Sequence, residues 1–191
     1  MQEYFFNLKI TSGCLVLALL MILVKDAQAV SYMTREEALH WALPGAEEII
    51  SEEHDLDSKR KKEVEKKIGW HMKESRFAFY VGQVKGKVIG YAFIDDEIGK
   101  HQPITFVTAL QPDGKVRDVE VMVYRESVGE QIKGRRFLNQ FRGKDAASRL
   151  KLGEDVDSIT GATLSAGAAS RAVKKAVVLF QEFYQEMGES K

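Results

Sequence analysis

FAFYVGQVKGKVIGYAFIDD, residues 77–96, consists of two runs of aromatic and β-branched residues separated by Lys85-Gly86. Side chains of that kind suit a pleated surface, and the Lys-Gly pair supplies a tight turn, so the stretch reads as a β-hairpin. The texture continues in ITFVTALQ (104–111) and VRDVEVMVY (116–124), with Asp113-Gly114 as the turn between them. Four strands in succession with two tight turns predict an antiparallel meander. Helical patterns lie on either side, so the expected class is α+β, a four-stranded antiparallel meander packed by helices.

Ahead of the meander, TREEALHWAL (34–43) has Thr34 before a glutamate-rich first turn and Pro44-Gly45 after it, the start and stop signals of a helix. AEEIISEEHDLDSKRKKEVEKKIG (46–69) is dense in charge and reads as a second helical segment with a solvated face. Residues 30–74 are therefore expected to be a helical N-terminal segment, and 75–191 the main domain. Behind the meander, RRFLNQFRGK predicts a short helix and KLGEDVD a loop. A final amphipathic helix is expected from about Leu164 to Met187, with Ala169, Ala172, Val173, Ala176, Phe180, Phe183 and Met187 on the stripe that docks against the sheet.

The chain has 191 residues, of which 45% are hydrophobic and 29% charged, enough for one globular domain and an appendage. Its 28 basic and 28 acidic side chains cancel, which argues against nucleic-acid binding driven by net charge. Residues 1–29 read as an address. Lys9 precedes the apolar run CLVLALLMILV (14–24), and Ala27-Gln28-Ala29 forms a small-x-small site, so a signal peptide cleaved after Ala29 is expected, with an uncleaved N-terminal anchor as the alternative. The single cysteine, Cys14, begins the apolar run instead of following it, which argues against lipidation. A chain cleaved after Ala29 would have no cysteine for disulfides, cluster ligation or haem attachment.

The four histidines, His40, His54, His71 and His101, have no close metal-ligand spacing. GxGxxG, a complete phosphate-binding loop with its lysine, and GxSxG are all missing. Two places attract attention. The loop YRESVGEQIKGRRF (124–137) follows the last strand, and Tyr124, Arg125 and Glu126 are candidate ligand contacts by that position. The second is DVDSITGATLSAG (155–167), a polar, glycine-punctuated turn that runs straight into the final helix. On its residues alone it has two readings. Thr160 or Thr163 caps the helix, or the free N–H groups of the first turn, beside small Gly161 and Ala162, hold an anion such as phosphate.

Asp157, Ser158-Ile159, Thr160, Gly161, Ala162 and Thr163 match at every specified position an attachment signature of an Asp, two variable residues, Ser or Thr, Gly, Ala and a final Thr. In this the sequence resembles the FMN-binding domain family, which includes the C subunit of sodium-translocating NADH:quinone reductase, the G subunit of the Rnf complex and small exported covalent flavoproteins. YRESVGEQI, RRFLNQFRGK and the meander with LQPDGKV look like the rest of that domain, over roughly residues 75–185. The resemblance implies FMN esterified through its phosphate to Thr163 by a flavin transferase that uses FAD and magnesium. Asp157, Thr160, Gly161, Ala162, Leu164 and Ser165 are then the surrounding cofactor-binding positions, with Ser165 a less favoured acceptor. It further implies an exported or membrane-associated electron carrier, periplasmic or at the outer face of the cytoplasmic membrane, that relays electrons between redox protein partners. A flavin-dependent reductase of a small acceptor and a non-redox binding module remain the alternatives.

Overall fold

A computed structural model describes residues 29–185. The four expected strands are present: β3 (Arg76–Val84), β4 (Lys87–Ile98), β5 (Pro103–Leu110) and β6 (Val116–Tyr124). Lys85 and Gly86 both have positive φ, 51° and 72°, the backbone of a two-residue hairpin turn. The sheet is larger than the sequence suggested. β1 (Val30–Ser31) and β2 (Glu48–Asp55) close its two edges, giving a six-stranded antiparallel sheet in the order β1-β6-β5-β4-β3-β2.

β2 overturns the helical reading of 46–69. Residues 48–55 pair antiparallel with β3, from Glu48 opposite Gln83 to Asp55 opposite Arg76, and only then does helix α2 (Ser58–Ile68) begin. Charge density misled because an edge strand accepts acidic residues, which also discourage pairing with another chain. The expected helical segment 30–74 is thus mixed, with two helices and two strands. Asp57 caps α2 by accepting from the Lys59 and Arg60 amides at 2.8 and 2.9 Å, and Gly69, at φ 95°, ends it. Helix α1 (Arg35–Ala42) forms where expected. Thr34 and Glu37 build a capping box, with Glu37 N donating to Thr34 Oγ1 at 3.2 Å and Thr34 N donating to Glu37 Oε2 at 2.7 Å.

Alternation along the central strands divides the core into two layers. Ile104, Phe106 and Leu110 of β5 join the larger core, while Val107 and Ala109 join the smaller one under α1. Short helix α3 (Arg135–Leu138) passes into a tight turn at Asn139–Phe141, as expected for RRFLNQFRGK. Helix α4 (Thr163–Phe180) then fills the larger core and continues as a wider turn over Gln181–Gln185. The expected end at Met187 lies outside the described residues. The helix is also no one-sided stripe. Ser165, Ala166, Ala168–Ser170 and every residue from Ala172 to Phe180 are buried, so the helix is enclosed on nearly all sides. Of the expected signal segment 1–29, residues 1–28 lie outside the described residues as well. Among those described, no helix is long and apolar enough to cross a membrane.

Candidate functional site around the start of helix α4

The turn before α4 is built by its backbone. Gly161 has φ +80°, with open space where a Cβ would stand, and the Ala162 amide donates to the Ile159 carbonyl at 2.9 Å. Ala162 occupies the N-cap position, and no side chain caps the helix. The capping reading of Thr160 and Thr163 therefore fails: Thr163 is the first helical residue, and Thr160 lies outside the helix, exposed. Helix starts without a side-chain cap leave N–H groups directed outward beside the positive end of the dipole, a local environment suited to an anion.

The hydroxyls of this turn are not equivalent. Thr163 is exposed and within 3.4 Å of the Ser158 hydroxyl, which donates to it. Ser165 is only 3% exposed, and its Oγ lies 3.2 Å from the Tyr124 hydroxyl. Two residues of helix separate Thr163 from Ser165 by about 200°, so one faces out as the other faces in.

A cavity flanks each side of the turn. The smaller, about 260 Å³, is lined by Lys100, Val128 and Gly161 to Ser165. Val128 and Leu164 are 53% and 56% exposed there, two apolar side chains open to solvent beside Thr163 and a lysine. The larger, about 650 Å³, lies between the 131–140 segment and the turn, with Arg136, Phe137 and Gln140 facing Asp157, Ser158 and Thr160. The Asp157 amide donates to Gln140 Oε1 at 2.7 Å, joining the walls of this cavity. Its volume lies in the usual range for small-molecule and cofactor sites.

The expected loop residues separate. Tyr124 is buried and reaches Ser165, whereas Arg125 turns to β5, donating to the Pro103 carbonyl at 3.2 Å and Thr105 Oγ1 at 2.9 Å. Glu126 accepts from the His101 and Gln102 amides at 2.5 and 2.9 Å. Burial works against its charge, but those amides hold its carboxyl below the usual range. Neither lines the cavity containing Thr163; Glu126 reaches it indirectly, by fastening the loop that carries Lys100. Lys100 and Gln140 were not legible as site residues in the sequence, and Val128, Arg136 and Phe137 lie in the loop 124–137 without having been singled out there. They come from three separate segments and carry no motif that ties them to residues 157–165.

Residues 99–178 match the model of the FMN-binding domain. A 106-residue stretch is 28% identical to the G subunit of the proton-translocating ferredoxin:NAD(+) oxidoreductase complex of Clostridium ljungdahlii, covering 52% of this chain and 57% of that protein. The chain therefore aligns with little more than half the length of that relative. The fold is similar to the crystal structure of Shewanella oneidensis NqrC, with a TM-score of 0.54 and 17% identity over 90% of this chain and 97% of the other.

Proposed function

We propose, for a chain whose residues 99–178 match the model of the FMN-binding domain, that FMN is carried covalently on Thr163 and that the protein relays electrons between redox partners. The observation that carries this reading is the contrast between the exposed hydroxyl of Thr163, at an uncapped helix start, and the buried, hydrogen-bonded hydroxyl of Ser165. The residues present suit a phosphodiester. The free amides of the first turn of α4 would hold the phosphate, Lys100 would add a positive charge, and Gly161 and Ala162 keep the approach free of bulk. Val128 and Leu164 offer apolar surface to a flat ring, and Ser158 is placed to orient the Thr163 oxygen.

Attachment would follow a balanced exchange. The Thr163 oxygen would bond to the flavin-side phosphorus of FAD as the phosphoanhydride bond breaks, with AMP leaving with the electron pair and the hydroxyl proton passing to solvent through the transferase. FMN supplies one- and two-electron redox chemistry when bound, and the protein supplies its position and electrostatic surroundings. The similarity to a component of a ferredoxin:NAD(+) oxidoreductase complex supports partners in a membrane-linked electron-transfer chain. Export through residues 1–29 belongs to the same reading, because a tethered cofactor is not lost outside the cytoplasm.

Co-expression with a flavin transferase tests the assignment. A band fluorescent on a denaturing gel is expected from the wild type and from Ser165→Ala, and none from Thr163→Ala. A label that persists in Thr163→Ala would end the assignment to this residue.

A further inference from the structure

The Tyr124 hydroxyl stands between two walls of the smaller cavity. It donates its one hydrogen to the Val128 carbonyl, so across the 3.2 Å contact with Ser165 it must accept. One oxygen thereby ties the loop that presents Val128 to the first turn of α4. Gly129 makes this possible: a Cβ there would stand 2.5 Å from Ser165 Oγ and 2.9 Å from the Tyr124 hydroxyl, and its φ of +92° suits glycine. The tether meets a specific need. α4 starts with Ala162 and no side-chain cap, so its first turn has no hydroxyl or carboxylate of its own to hold it against fraying.

We propose that Tyr124, with Ser165 and Gly129, is the positioning device of the flavin acceptor: by drawing Ser165 inward it turns Thr163, on the opposite face of the same turn, out to the transferase. Tyr124 then acts through Ser165 instead of touching the flavin. This rests on Thr163 being the acceptor. Loss of the tyrosine hydroxyl leaves the ring and its packing in place while the first turn spends more time open, and only the ordered fraction presents Thr163 for transfer.

The test uses the full-length chain with FAD, magnesium and a purified flavin transferase. Tyr124→Phe and Ser165→Ala are each expected to slow the initial rate of labelling about fivefold, the effect of one net hydrogen bond, with the label still on Thr163. Because both remove the same bond, the double variant should be no slower than either single variant. Gly129→Ala, which forces the tether apart, should lose more. In the protein without flavin, amide exchange at Ala166 and Gly167 should rise in Tyr124→Phe, while exchange at Ala172–Phe180 stays unchanged. Wild-type labelling and exchange in Tyr124→Phe would overturn the proposal. So would exchange that accelerates equally along all of α4, which indicates general destabilisation. Were Thr163→Ala still labelled, the acceptor reading would fall, and exchange at Ala166 would still decide whether the tether exists.

Discussion

Two aspartates show how environment gives one residue type opposite pH behaviour. Asp95 on β4 is half-buried, and its desolvation outweighs its bond to Lys175 Nζ at 2.7 Å, raising its carboxyl from 3.8 to about 6. The fold therefore takes up a proton here, so the residue's contribution to stability is complete below about pH 4 and is lost as pH rises through about 6. Asp95→Asn, which mimics the protonated form, should remove a decline in melting temperature seen in the wild type between pH 4 and 7. Asp155 behaves in reverse. Burial opposes its charge, but the Lys151 and Leu150 amides and Lys144 Nζ, at 2.9, 3.0 and 3.0 Å, more than offset this and hold its carboxyl at about 2. Its contribution is present above about pH 4 and is lost as pH falls through about 2. Asp155→Asn should cost on the order of 2 kcal/mol at pH 7 and nearly nothing at pH 2, as measured by denaturant unfolding at both values. Neither behaviour is legible in the sequence, where both are aspartates in acidic stretches.

At the scale of elements, α4 explains why the turn that precedes it is held firmly. Alanines 166, 168, 169, 172 and 176 are all buried, and their small side chains let an 18-residue helix, about 27 Å long, lie close against β4 and β5. Ala169→Leu should overpack this contact and cost about 1–3 kcal/mol in chemical denaturation. The same helix carries a buried cation. Lys175 is bonded to Asp95 and, at 2.6 Å, to Glu97, whose other oxygen accepts from Arg171 Nε at 3.0 Å. Lys175→Ala would leave Asp95 without its cation and Glu97 with Arg171 alone, and should cost about 3–5 kcal/mol, far more than the loss of an exposed lysine. Periodicity in the sequence located this helix to within a residue at its start. It described only one apolar stripe, because a pattern of side chains cannot say how many neighbours surround them. The charged run 46–69 failed for a related reason: whether Ile49-Ile50 joins a helix or a sheet edge depends on β3, which lies beyond any local window.

The whole molecule is larger than the part that matches the family. The matched residues, 99–178, contain β5, β6, α3 and nearly all of α4 but leave out β1, β2, β3 and β4. A fragment restricted to 99–178 would expose the β5 edge and the core face of α4. It should fail to give dispersed amide resonances or a cooperative thermal transition, whereas the described span 29–185 should give both. The sequence by itself determined the hairpin at Lys85-Gly86, the α+β class and the start of α4, because each rests on local chemistry: turn geometry, alternation and helix periodicity. Only the tertiary structure decided that β1 and β2 complete the sheet, that Arg125 and Glu126 face away from the Thr163 cavity, and that Tyr124 grips Ser165. Those outcomes depend on which segments meet in space, and the pairing of Tyr124 with a helix turn 41 residues later leaves no periodicity in the chain from which it could be read.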